Sequence, residues 1–240
     1  MSKIKKELCK YKHAWPLLYV LIYMPWFILL EKYIPADFPG LHVMHCALDD
    51  IIPFCEWFVI PYLLWFLYIP AIFVFLFYHS KNEFYRLCAY EFTGMTIALL
   101  VCTFYPNGLE LRLSHIVREH ILIDLVHFLY NNDTPTNVCP SLHVFVTVAA
   151  HVCLVKSPHM KELHSRKRIK NISLVLAILI CLSTMFLKQH SVIDVVCGIS
   201  LAVVLYFVVF KWWFRNTNFP APVVKDPNKH QVLYFLNKKK

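Results

Sequence analysis

An all-α bundle of membrane-spanning helices is the fold class this sequence predicts, and three observations predict it. The 240 residues are 58% hydrophobic with a mean hydropathy of +0.52, well above the 45–50% apolar share of ordinary soluble domains. The apolar residues fall into six runs: 14–30, 57–78, 87–105, 142–155, 172–187 and 195–210. With the N-terminus cytoplasmic and six spans, 20 of the 24 Lys and Arg lie on the inner side, leaving Lys32, Arg112, Arg118 and Lys188 outside. Dropping one span would invert every loop after it, so this bias supports the count and places both termini in the cytoplasm.

The runs justify themselves in order. Residues 14–30 and 57–78 carry no charge, and 87–105 carries one, Glu91. The last three are short against the ~17–25 residues that cross a bilayer, and they must borrow flanking residues. Buried helices of a soluble core are the alternative for 142–155 and 172–187. A basic n-region before 14–30 also fits a cleaved leader, but no small-residue cleavage site follows, so a retained anchor is expected. The whole chain, 1–240, reads as one membrane domain. Two outer segments, 41–55 and 115–131, mix apolar and charged residues; the second reads as an amphipathic interfacial helix. Both either pack on the outer ends of the bundle or form a lid.

Composition excludes other classes. The net charge of +9 sits in short tails and loops, which leaves no solvated basic domain for nucleic acid. The nine cysteines include no C-x-x-C pair, so neither a metal site nor a disulfide framework is expected. No cofactor is expected either.

Three stretches carry chemistry, all on the outer side. The first runs from Pro106 to Arg112, the second is Cys139-Pro140-Ser141-Leu142-His143, and the third includes Ser183-Thr184 and Lys188 to Asp194. His190 and Asp194 are four apart and on a helix would share a face. A carboxylate on one imidazole nitrogen leaves the other free as base or nucleophile. Lys188 either serves the site or forms an ion pair with Asp194. Ser141 stands at a helix start, whose free N–H groups suit a phosphate. His143 is either a structural histidine or an acid facing His190. Arg112 offers a fork for phosphate oxygens or snorkels at the interface.

PSLH followed by H-x-x-x-D, spread over the last three spans, resembles the type 2 phosphatidic acid phosphatase superfamily. Its pattern is K-x6-R-P, P-S-x-H, then S-R-x5-H-x3-D. Ser141 and His143 match the second element; Ser183, His190 and Asp194 match the third; Arg112 matches the Arg of the first. The chain departs at Tyr105 and Leu113, where the first element has Lys and Pro, and at Thr184, where the third has Arg. Lys188 offers a replacement for one lost charge. The form K-Q-H-S-x-x-D looks closer to the branch near inositol phosphotransferases.

The resemblance spans roughly residues 45–212. It implies a membrane lipid phosphate or diphosphate phosphatase with a phosphohistidine on His190, Asp194 orienting it and His143 as acid and base. Ser141, Arg112, Lys188 and Ser183 are then expected to hold the phosphate, with no metal. A lipid phosphotransferase and an inactive lipid-binding or transport homologue are the alternatives. A bacterial plasma membrane is the expected location, with the site facing away from the cytoplasm. The identity of the lipid and the oligomeric state are not readable from the residues.

Overall fold

The structure is a computed structural model, and it describes residues 11–113, 116, 118–161 and 165–214. The basic tails counted for orientation, before 11 and after 214, and parts of the loops at 114–117 and 162–164 lie outside the described residues. The described chain is helical almost throughout. A 3-10 stretch, Lys12–Tyr19, leads into α1 (Val20–Tyr33). A short α2 (Ala47–Ile51) follows, then α3 (Val59–His79) and α4 (Lys81–Phe104). Beyond them lie α5 (Ile121–Asn132), α6 (Leu142–Lys156), α7 (Arg166–Phe186) and α8 (Val192–Tyr206), the last continued by a π-helical stretch, Phe207–Trp213.

Among the described residues, five helical segments are long and apolar enough to cross a membrane: Lys12–Tyr33, Glu56–His79, Lys81–Phe104, Arg166–Phe186 and Val192–Trp213. Each contains one of the predicted runs or most of it. The remaining run, 142–155, forms α6, an apolar helix of only 15 residues. At ~1.5 Å per residue it is about 22 Å long, short of a ~30 Å hydrocarbon core.

The helix ends follow local chemistry. Ser80 caps α4 by accepting from the Glu83 N–H at 3.3 Å, which satisfies one of the orphan donors of a first turn. The predicted amphipathic helix forms, but it begins at Ile121, with His120 as its cap. One feature contradicts a purely helical expectation: β1 (His42–Val43) pairs in parallel with β2 (Asn107–Gly108). Strands of two residues have no alternation to read, so the pattern of the sequence carries no sign of them.

The core is centred on α6, which packs against α3, α4, α7 and α8. Its buried face, Phe145, Ala149, Ala150, Cys153 and Leu154, lies in the largest apolar cluster. Small residues let neighbours close in. A Cβ on Gly94 of α4 would lie 2.0 Å from the Phe145 ring, and one on Gly198 of α8 would lie 2.7 Å from the Ser141 carbonyl oxygen. The outward faces of α1, α3, α7 and α8 expose large apolar side chains such as Leu21, Leu67, Val175 and Val204. Such a belt suits a hydrocarbon surround.

Candidate active site

The ends of α6, α7 and α8 meet at one end of the bundle. Ser141 is the N-cap of α6, with Oγ accepting from the Val144 N–H at 3.4 Å. Its own N–H donates to the Asp194 carbonyl at 3.0 Å. That bond, with the contact at Gly198, sets the starts of α6 and α8 side by side. His143, in the first turn of α6, packs between Tyr62 and Trp65 of α3, with ring centroids 4.7 Å away in both cases. Its ring faces that of His190 at 5.9 Å, with the planes 60° apart.

His190 does not sit on the helix that carries Asp194, contrary to the expectation of a shared face. Helix α8 begins at Val192 with Ser191 as its N-cap, so His190 belongs to the preceding turn. A capping box brings the carboxylate back instead, because the Ser191 N–H donates to Asp194 Oδ2 at 2.9 Å. The same oxygen lies 3.4 Å from His190 Nδ1, in ion-pair range but without hydrogen-bond geometry. Asp194 is fully buried and its Oδ1 has no hydrogen-bond partner.

The turn from 187 to 190 is tightly held. Lys188 takes a left-handed φ of 55°, and the N–H groups of Gln189 and His190 share the Thr184 carbonyl at 2.9 and 3.0 Å. The Lys188 ammonium turns away from Asp194. It donates to the carbonyls of Asp49 and Ile52 at 2.7 and 2.6 Å, capping the short α2. Ser183 is fully buried, and its hydroxyl donates back to the Ile180 carbonyl at 2.6 Å.

Arg112 is bound on nearly every side. Nη1 donates to the Tyr130 and Asp133 carbonyls, and Nη2 to the Thr134 carbonyl and to Gln189 Oε1. Burial lowers its pKa, with Asp133 and Tyr130 opposing that effect. Burial raises the pKa of Asp133, and the charges of Arg112 and His190 oppose it. Tyr105 stacks on His42 at 3.9 Å, and Leu113 is partly exposed. The structure thus brings Ser141, His143, His190 and Asp194 together, while Arg112 and Lys188 reach the site through intermediaries and Ser183 bonds into its own helix.

Three residues went unassigned at the level of sequence. Asp49, 2% exposed, accepts from Ser191 Oγ at 2.6 Å, from the Val192 N–H at 2.8 Å and from the Cys46 N–H at 2.8 Å. It fastens segment 41–55 to the start of α8. An acid pair in an otherwise apolar outer segment was its only signal. Asn107, fully buried, accepts from the Cys139 N–H at 2.8 Å and donates to the Cys139 carbonyl at 3.3 Å, anchoring the approach to Ser141. Gln189 is held by Arg112 and left no pattern to read.

Asp49 also predicts a pH dependence. Burial pushes its pKa up, but the Ser191, Val192 and Cys46 donors outweigh that and hold it below the ordinary value of 3.8. A depressed folded-state pKa means that its stabilisation is present above pH 3.8 and fades as pH falls through the lower folded value. Asp49→Asn is expected to cost about 1–3 kcal/mol at neutral pH, the scale of bonds to a charged acceptor. Thermal unfolding of the detergent-solubilised protein from pH 7 to pH 3 checks this: the gap between wild type and variant should narrow toward the acid end. A constant gap rules the assignment out.

The family model described as the PAP2 superfamily matches residues 114–218. None of the curated proteins and none of the solved structures matches the chain. The matched stretch, which forms α6, α7, α8 and the turn between the last two and holds Ser141, His143, Ser183, His190 and Asp194, is similar to the PAP2 superfamily.

Proposed function

We propose that this chain is a membrane lipid phosphate or diphosphate phosphatase that works through a phosphohistidine on His190. The observation that carries this is the facing pair of imidazoles, 5.9 Å apart, with the buried Asp194 carboxylate 3.4 Å from His190 Nδ1. With its proton on Nδ1 toward Asp194, His190 presents the lone pair of Nε2 as nucleophile. Nε2 attacks phosphorus, the P–O bond to the leaving group breaks, and protonated His143 gives that oxygen its proton. Neutral His143 then takes a proton from water as the water oxygen attacks the phosphohistidine and releases phosphate. General acid–base help of this kind is worth about 10²–10⁴-fold.

The N–H groups that open α6 behind Ser141 supply donors for the phosphoryl oxygens. Lys188 keeps one ammonium hydrogen beyond its two carbonyl bonds, and Arg112 keeps its Nε–H, so each adds at most one donor without giving up a bond. Ser183 serves by shaping the end of α7. The five long apolar helices, with α6 between them, form a single membrane domain of six spans. The charge bias supports cytoplasmic termini and a site on the opposite face, in what we take to be a bacterial plasma membrane. The lipid substrate reaches the site laterally.

The test is a panel of lipid phosphates and diphosphates offered to the purified full-length chain. Free phosphate and a trapped, labelled phosphoenzyme are expected. A new phospholipid in place of free phosphate would make the chain a phosphotransferase. Neither product, together with no phosphoenzyme, would leave a lipid-binding homologue.

A further inference from the structure

Gln189 stands between Lys188 and His190 and is 2% exposed. Its Oε1 accepts from Arg112 Nη2. A guanidinium can only donate, so the amide oxygen must face Arg112 and the amide nitrogen must point elsewhere. That Nε2 is buried and has no hydrogen-bond partner among the described residues. Buried amide hydrogens without an acceptor are rare, because they lose water and gain nothing in exchange.

Arg112 cannot serve a ligand with its own fork. All four Nη hydrogens are engaged, three on the carbonyls of Tyr130, Asp133 and Thr134 and one on Gln189. Only its Nε remains, buried and without a partner. The Gln189 backbone is equally constrained, since its N–H and that of His190 share the Thr184 carbonyl. Asp133 Oδ2 lies 3.9 Å from Arg112 Nη2. The guanidinium, the amide it orients and the imidazole therefore lie around one neighbourhood.

We propose that Gln189 binds the phosphoryl group, its Nε2 hydrogens donating to an oxygen of the tetrahedral phosphate at His190, and that Arg112 is a positioning residue acting through it. This rests on phosphoryl transfer at His190. It explains why the side chain beside the nucleophile is buried yet half unsatisfied.

The experiment uses the full-length chain in detergent micelles as wild type, Gln189→Glu and Gln189→Met. Orthovanadate binding is measured by calorimetry, lipid-phosphate turnover by phosphate release, and integrity by thermal unfolding. The glutamate keeps an acceptor for Arg112 but presents an oxygen where the amide hydrogens stood. Its vanadate dissociation constant should rise about 10²-fold, with turnover falling by a similar factor and the unfolding temperature holding. Gln189→Met should weaken vanadate in the same direction. Wild-type vanadate binding in both variants overturns the proposal, as does failure of both to fold, since that marks a residue kept for packing. A wild type that binds vanadate in a Gln189-dependent way but turns over no lipid phosphate supports the proposal while sinking the phosphatase reading.

Discussion

Replacing His190 with alanine is expected to abolish the phosphoenzyme and to lower turnover of the lipid phosphate by about 10⁴-fold or more, the scale seen when a covalent nucleophile is removed. His190 belongs to a turn outside the helices, and its N–H keeps its bond to the Thr184 carbonyl, so the fold should survive. Asp194→Asn probes the same step differently. The asparagine oxygen can still accept from the Ser191 N–H, as Oδ2 does now at 2.9 Å, and so preserve the start of α8. That oxygen also keeps the 3.4 Å approach to His190 Nδ1, the NH₂ takes the place of Oδ1, and what is lost is the negative charge that stabilises the imidazolium. A loss of about 10²–10³-fold is expected from the missing charge. Rapid-quench trapping with a labelled lipid phosphate reads both variants. A labelled His190→Ala protein would remove His190 from the chemistry.

Gly198→Ala is expected to lower both stability and turnover without touching any ionisable group. The added methyl would meet the Ser141 carbonyl oxygen at 2.7 Å and Val144 Cβ at 3.3 Å. The nearest obstacle is backbone, which has no rotamer to change, so α6 and α8 must separate. That separation strains the Ser141 N–H bond to the Asp194 carbonyl, now 3.0 Å, and moves His143 relative to His190. Overpacking of this kind costs about 1–3 kcal/mol of stability. A displacement near 1 Å costs about 10²-fold in turnover. Ile199, the next residue, is 42% exposed on the outward face, and Ile199→Ala serves as the control that should leave turnover unchanged. Thermal unfolding with phosphate-release kinetics decides the matter; wild-type turnover in Gly198→Ala would show that the α6–α8 contact does not set the site.

The order of residues encodes what local and periodic chemistry can carry. Apolar runs mark the helices, because hydrocarbon accepts few other backbone arrangements. Ser141 and Ser191 mark helix starts, since a hydroxyl before an apolar run satisfies first-turn donors. The PSLH and H-x-x-x-D spacings named four residues that the fold does gather. The pairing of Asp194 with His190 was legible, although its route, a capping box in place of a shared helix face, was not. Only the tertiary structure decided the partners of the charged groups. The Arg112–Gln189 bond joins residues 77 apart and the Ser191–Asp49 bond residues 142 apart. Lys188 reaches back to the carbonyls of Asp49 and Ile52 rather than to its neighbour Asp194. No spacing rule reaches across such distances. A buried donor takes whichever acceptor packing brings within about 3 Å, and packing is a property of the whole bundle.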